Sequence, residues 1–331
     1  MKFHLQFDIK KLPQQINHQQ KLLLMGSCFT ENIGAKLNNY KFNTLLNPNG
    51  ILFNPVSVAD ALHDYIENKK FFENDLFFLN EGWHSWKHHS RFSDLTIEST
   101  LSKINSSTSD AHNFLQQADV LMITLGSAWT YTFTDKAINA TIGNVAANNH
   151  KAPANWFVRK LMTPKAVADV LQVAIERLHI FNPKLQIIFT ISPVRHVREG
   201  VVENTRSKAV LVQAVHQLVD TYNHLYYFPA YEIVLDDLRD YRFYSEDLVH
   251  PNYHATQYVW EKFVDACMNA KTKLLMEEIY AILGAYQHKP FNPSTQAHKT
   301  FLKTFYERTV NLQTQNPFLD LSKELNYFRQ L

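Results

Sequence analysis

The sequence predicts an α/β fold, a parallel sheet with helices packed on both faces. Three observations point to it. Short, largely apolar runs at 22–25, 120–125 and 185–191 have the length of strands buried on both sides. Longer amphipathic patterns of helical period alternate with them, the order that a crossover-connected sheet requires. The composition, 45% hydrophobic and 19% charged over 331 residues, supplies a full core. It excludes a disordered chain, a collagen and a coiled coil.

In chain order, 22–25 is the first buried strand and 31–40 the first helix. A second short strand, 42–46, ends at the turn-forming run Asn47-Pro48-Asn49-Gly50. Pro55 opens a helix to about residue 68, in the first-turn position where its missing N–H costs nothing. The aromatic stretch 77–86 carries Asn80-Glu81-Gly82 and reads as a hairpin. A helix over 96–117 leads into the strand 120–125, bounded by Asp119 and Gly126. Irregular sequence follows, then an amphipathic helix at 164–181 and a buried strand at 185–191 stopped by Ser192-Pro193. A helix over 204–224, a short strand at 225–228 and a long helical stretch over 252–283, with room for one break, complete the pattern. Beyond it, the chain is polar, shows no strand, and spaces Phe301, Phe305 and Leu312 as on a helix. The expected organisation is one α/β domain over 1–284 and a helical extension over 285–331 that packs on the body or joins copies. No internal repeat or low-complexity tract is visible.

Charge and cysteine content narrow the function. With 33 Lys+Arg against 31 Asp+Glu the net charge is +2, without the basic excess of a general nucleic-acid binder. Cys28 and Cys267 permit one disulfide but no disulfide framework, and no Cys/His set has zinc-finger spacing. No apolar run has the length of a signal peptide or a membrane span, so a soluble, cytoplasmic protein is expected. Glycines are scarce, 8 in all, while histidines number 16.

In a parallel sheet, functional residues sit in loops at the carboxyl ends of the strands, here after residues 25, 46, 125, 191 and 228. After the first strand comes Gly26-Ser27-Cys28-Phe29-Thr30. A Ser there lies at a helix N-terminus, whose free N–H groups favour negative charge. That suits a nucleophile whose attack creates an oxyanion. It also suits an ordinary N-cap Ser beside a turn Gly. Cys28 is the rival nucleophile, since a thiolate attacks more readily. Adjacent residues of a turn point different ways, so only one of the two can meet a base. Past the last strand, Asp247 and His250 stand three apart. In a single turn they share one side, where a carboxylate orients an imidazole that takes a hydroxyl proton. The plainer alternative is a turn Asp and a surface His. In a flavodoxin-like sheet the loops after the first and last strands converge on one edge, so the two signals support each other.

Gly26-Ser27-Cys28-Phe29 resembles the signature of the GSCFA-domain proteins, relatives of the SGNH/GDSL hydrolases. The likeness extends through Asn47-Pro48-Asn49-Gly50, Trp83-His84-Ser85-Trp86-Lys87-His88-His89-Ser90 and Leu125-Gly126-Ser127-Ala128-Trp129. It continues through Asn149-His150-Lys151, Ser192-Pro193-Val194-Arg195-His196 and Asp247-Leu248-Val249-His250-Pro251, covering roughly 20–265. The resemblance implies a three-layer α/β/α, SGNH-hydrolase-like fold and a Ser–His–Asp centre, with Ser27 as nucleophile, His250 as base and Asp247 as orienting carboxylate. In SGNH hydrolases the oxyanion hole uses the nucleophile N–H, a Gly N–H after the second strand and an Asn after the third. Ser27 and Gly50 match the first two. The third block normally reads Gly-x-Asn, whereas Gly126 is followed by Ser127 and Ala128. Ser127, through its hydroxyl or N–H, or the Asn49 or Asn149 amide, would have to stand in. One missing donor is worth on the order of 3 kcal/mol of barrier.

Other residues have two readings each. His84 and His88 are four apart, as metal ligands on a helix would be, but the surrounding aromatics argue against helix and no carboxylate completes a set. Trp86, His88 and His89 read either as a substrate-pocket lining or as a structural aromatic hairpin. Arg195 and His196 follow a strand end. Arg195 can bind an anionic substrate group or salt-bridge a loop, and His196 can join the site's hydrogen bonds. His150 and Lys151 lie where an irregular segment leans over the site. Arg206 and Lys208 read as a solvated helix start.

The expected function is a cofactor- and metal-independent serine hydrolase that removes an acyl group from a small-molecule or carbohydrate ester, without nucleic-acid or membrane partners. The same residues would serve an acyltransferase. The rival of a different class is a catalytically silent binding module, favoured by the missing Asn. Oligomerisation through the C-terminal helices is compatible with each.

Overall fold

The computed structural model describes residues 5–329. Its elements begin with β1 (Lys21–Gly26), α1 (Cys28–Asn39), β2 (Asn43–Leu46), α2 (Pro55–Ile66), β3 (Phe77–Leu79), β4 (Gly82–His84) and α3 (Ile97–Gln117). There follow β5 (Val120–Leu125), β6 (Trp129–Phe133), β7 (Phe157–Leu161), α4 (Pro164–Phe181), β8 (Gln186–Ile191), α5 (Val201–Thr221) and β9 (Leu225–Tyr227). A single turn, α6 (Ala230–Glu232), runs into a wider π-type coil at Ile233–Leu238. The chain ends with α7 (Tyr253–Cys267), α8 (Ala270–Gln287), α9 (Gln296–Gln315) and α10 (Ser322–Phe328).

Five strands form one parallel sheet in the order β2-β1-β5-β8-β9. Counted among themselves these strands run 2-1-3-4-5, the flavodoxin-like order. Side-chain alternation lets each strand feed two cores. Leu23 and Met25 of β1 pack with α2, α3, α4 and α5 on one face. Leu22 and Leu24 pack with α1, α7 and the N-terminal Leu12 and Ile16 on the other. β5 divides the same way, Leu121, Ile123 and Leu125 to the first core, Val120 and Met122 to the second. The result is the expected three-layer α/β/α fold.

Local chemistry explains most boundaries. α1 starts at Cys28, before the expected residue 31, because Ser27 takes the N-cap position. The long helical pattern breaks once, at Asn269, whose Oδ1 accepts the Thr272 N–H at 2.8 Å and starts α8. The β3–β4 turn holds Asn80 and Glu81 at φ 47° and 63°, as a two-residue hairpin turn demands. The segment read as irregular contains the antiparallel pair β6–β7. The second half of α8, α9 and α10 share a third core that includes Ile279, Ile282, Leu312, Leu321 and Phe328. No helix among the described residues is long and apolar enough to cross a membrane.

Candidate active site

The site is assembled by loops at the carboxyl ends of β1, β2, β5 and β8. β1 ends at Gly26 with φ +132°, where a Cβ would lie 2.1 Å from the Thr124 carbonyl oxygen. Only glycine permits that approach of β1 to β5. Asn47 Oδ1 accepts the Gly26 N–H at 2.9 Å, tying the ends of β1 and β2 together. Ser27 then occupies the N-cap position of α1, yet its hydroxyl caps nothing. Ser27 Oγ is buried and has no hydrogen-bond partner. An orphaned buried hydroxyl costs about 1–3 kcal/mol, and an ordinary cap would have spent that oxygen on a first-turn N–H.

The Asp247–His250 turn is tightly built. Asp247 Oδ1 accepts the N–H groups of Val249 and His250 at 2.9 and 3.0 Å, while Oδ2 lies 2.7 Å from His250 Nδ1. Leu248 between them sits at φ +56°, a conformation that a leucine holds only when its surroundings impose it. The two N–H groups, and then the imidazole, hold the Asp247 carboxyl down at about 2. As an ionised acceptor it places the His250 proton on Nδ1 and leaves Nε2 as the basic nitrogen. Both side chains are about half exposed, at 51% and 50%.

Ser27 Oγ makes no hydrogen bond to His250 here. His196 lies in the same neighbourhood, across Gly126. A Cβ built on Gly126 would lie 3.3 Å from Ser27 Cβ, 3.3 Å from His196 Nε2 and 3.0 Å from Phe53 Cδ1. His196 meets Phe53 edge to face at 5.1 Å, and its Nε2 is buried without a partner. Burial, then the charges of Lys208 and His250, push its pKa down to about 4, so it is neutral at pH 7. The Arg195 N–H donates to the Val249 carbonyl at 3.2 Å, joining the β8 loop to the Asp247–His250 turn.

Lys208 departs from its reading as a solvated residue. It is 1% exposed, and its Nζ donates to the carbonyls of Gly126 and Ser192, both at 2.7 Å. It therefore clamps the ends of β5 and β8 next to Ser27. Burial pushes its pKa down to about 7. A neutral amine has two N–H groups for these two acceptors, whereas an ammonium would strand a third. A signal for this existed: Asn204, Lys208, Leu211, Val215 and Leu218 recur at helical spacing, all on the buried face of α5.

Of the expected oxyanion donors, Ser27, Gly50, Ser127 and Asn49 are engaged within the fold. The Ser27 N–H donates to the Thr124 carbonyl at 3.0 Å, Gly50 to Asn47 at 2.7 Å and Ser127 to Phe53 at 2.9 Å. Ser127 Oγ accepts the Trp129 N–H and pairs with Ser207 Oγ. Asn49 spends its amide on the Lys87 carbonyl and its oxygen on the Tyr65 hydroxyl. Cys28 is not an activated nucleophile, since burial, then Glu31, raise its thiol pKa. Both cysteines are free.

A cavity of about 850 Å³ opens beside these residues, and Ser127, Asn149, His150 and His196 line it. Trp86, His88, His89 and Arg195 do not, and each is committed elsewhere. Trp86 stacks on Phe77 at 3.6 Å and donates Nε1 to the Ile138 carbonyl, making the hairpin a structural aromatic core. His88 is buried against Phe71 and bonds Ser85 Oγ at 2.9 Å. His89 accepts the Arg91 N–H through Nδ1. The Arg195 guanidinium lies over Tyr241 and Tyr244 at 5.4 and 4.7 Å. His84 spends both ring nitrogens, on Ser93 Oγ and the Leu79 carbonyl. Among the described residues no group of His, Cys, Asp and Glu is arranged to hold a metal.

Comparison with known proteins gives two kinds of match. Among solved structures, the chain overlaps a carbohydrate esterase family 3 protein from Talaromyces cellulolyticus at 10% identity and a TM-score of 0.36, covering 78% of this chain and 99% of that one. It overlaps a family 3 carbohydrate esterase from Clostridium thermocellum at 12% identity and a TM-score of 0.32, covering 78% and 98%. No curated relative matches. The model of the GSCFA family matches residues 21–263, and that of the C-terminal domain of GSCFA domain proteins matches 279–331. The first match alone spans most of the chain, including every loop that builds the site, so the chain belongs to the GSCFA family.

Proposed function

We propose that this protein is a serine-dependent acyl hydrolase that cleaves an ester or O-acyl bond. The observation that carries the reading is the buried, partnerless Ser27 hydroxyl at a strand-to-helix turn on the carboxyl edge of a parallel sheet. Ser27 Oγ attacks the acyl carbon, and its proton passes to His250 Nε2. That proton goes to the departing alkoxide as the ester C–O bond breaks. Water then repeats the sequence on the acyl-enzyme and releases the acid. Asp247 holds His250 in the required tautomer. The Ser27–His250 hydrogen bond closes in the substrate complex, where such bonds tighten.

His196 Nε2 and Ser27 Cβ converge on the same point beside Gly126, which favours a role for His196 in the chemistry. A base held near pKa 4 is weak at neutral pH. Its neutral imidazole suits instead a donor to the acyl oxygen, in the place of the Asn that the third block lacks.

The test is a fluorophosphonate probe together with short-chain nitrophenyl esters and acetylated sugars. Labelling and turnover are expected, both lost in Ser27→Ala. His250→Ala should lower kcat by about 10³-fold or more. His196→Asn should keep more activity than His196→Ala if His196 donates, and no more if it is the base. Faster product formation with added alcohol, yielding a new ester, would make the reaction transfer rather than hydrolysis. A folded protein that neither labels nor turns over any acyl donor would overturn the reading in favour of a binding module.

A further inference from the structure

The cavity beside the site has a one-sided charge pattern among the described residues. Several cations outside it face carboxylates, as Lys87 faces Asp64, Arg177 faces Glu67 and Arg308 faces Glu278. The cavity is lined by Lys151, Arg159 and Arg198, and among the described residues no carboxylate lines it. None of the three forms an ion pair with a described residue. On a chain whose net charge is only +2, this is local placement rather than general excess.

Each cation is presented by structure. In the β6–β7 ladder Tyr131 faces Arg159 and Trp129 faces Leu161, so alternate positions turn one face of the hairpin to the cavity. The Arg159 guanidinium lies 4.5 Å from the centre of the Trp129 ring, a stack that orients it and leaves its N–H edge free. The Trp129 indole N–H is itself fixed on the Glu203 carbonyl at 3.2 Å. Lys151 follows His150, and both hold positive φ, 57° and 47°. His150 is anchored through Nε2 to the Ser85 carbonyl at 2.9 Å and through Nδ1 to Ser90 Oγ at 3.1 Å. That anchor turns the next residue into the cavity. The Glu203 carboxylate lies against Gly200 and is not part of this wall.

We propose that the cavity binds an anionic group, a carboxylate or a phosphate, carried by the ester that the site cleaves. The aromatic faces of Trp129, Tyr131 and Phe157 on the same wall suit a flat or ring-shaped body bearing that anion. The anion site rests on the acyl-hydrolase reading only for the bond cut, and binding and turnover are therefore read separately.

Binding is measured by NMR titration of Ser27→Ala with benzoate, phenyl phosphate and the neutral benzamide. Benzoate or phenyl phosphate should bind at least tenfold more tightly than benzamide at low salt, with weakening as salt rises. The stronger of the two anions identifies the charged group. Turnover is measured with 4-acetoxybenzoate, phenyl acetate and a 4-trimethylammonio phenyl acetate. The kcat/KM should fall in that order, by about tenfold at each step. In Lys151→Gln/Arg159→Gln/Arg198→Gln both preferences should disappear. In Lys271→Gln/Lys289→Gln/Lys299→Gln, which removes equal charge far along the chain, they should persist. Hydrolysis with no anion preference would overturn the anion site and leave the hydrolase reading. Anion binding without turnover of any ester would do the reverse. A preference that survives the cavity triple variant, or falls equally in the control triple, would also overturn the site.

Discussion

At the scale of single residues, the site depends on groups whose burial sets their chemistry. Gly26→Ala would drive a Cβ to within 2.1 Å of the Thr124 oxygen at φ +132°. A loss of about 3 kcal/mol or more is expected, read by denaturant unfolding, with Ser27 labelling falling as well. Lys208→Met removes two donors and leaves two carbonyls unpaired, at a cost of about 2–4 kcal/mol. The pH dependence has a definite sign. The folded pKa, about 7, lies below the unfolded value. Between roughly pH 7 and pH 10 the unfolded chain therefore binds more protons, and stability rises with pH across that window. Below it, both states are charged and the burial penalty is present in full. The Met variant should lack this rise, so the stability gap between the two proteins widens from pH 7 to pH 9.5. An equal gap at both values would contradict the buried amine. The Ser27 turn and the Asp247–His250 spacing were legible in the sequence as candidates, because both are local, while their roles as a set came from the resemblance to the GSCFA proteins. His196, across Gly126 from Ser27, was legible only as a loop residue, because its neighbour comes from a strand far away in sequence.

At the scale of elements, periodicity carried most of the reading and caps set the ends. The strand pairs β1, β5 and β8 follow from alternation that feeds two cores at once. Asn269 separates α7 from α8 by capping the second helix. Asn269→Ala should cost about 1 kcal/mol, visible as a lower midpoint in urea without a change of slope. The β6–β7 hairpin was missed although Trp129-Thr130-Tyr131-Thr132-Phe133 alternates aromatic and threonine side chains, a strand's period. Its partner, Phe157–Leu161, lies across the long connection 134–156, and one strand without a visible partner reads as loop. That hairpin is also the wall that carries Arg159, so the missed element took the cavity with it.

At the scale of the whole molecule, the C-terminal helices are joined to the α/β body by Lys41, whose ammonium lies 2.7 Å from Glu324. The pair is largely buried, 17% and 3% exposed. Lys41→Met strands the Glu324 carboxylate, at a cost of about 3 kcal/mol. Hydrogen exchange should then quicken in α9 and α10 while β1 and β5 keep their protection, and Lys41→Met/Glu324→Gln should recover part of the loss. Uniform quickening through β5 would instead mean that body and helices unfold as one unit. Tyr40 packs against both the second and the third cores, which gives the joint an apolar part as well.

Periodicity in the sequence is enough for the α/β class and for the strands that enter the sheet, and the resemblance to the GSCFA proteins adds the candidate nucleophile, base and carboxylate. The class and the strands rest on periodicity, which local sterics impose on any chain, and the candidate residues on short motifs. Folding in three dimensions is what buries Lys208, brings His196 across Gly126 from Ser27, makes the histidine-rich hairpin core rather than pocket, and gathers Lys151, Arg159 and Arg198 around one cavity. Those facts depend on which loops meet at the carboxyl edge of the sheet. Such meetings are set by packing between residues far apart in the chain, a property that no short stretch of sequence contains.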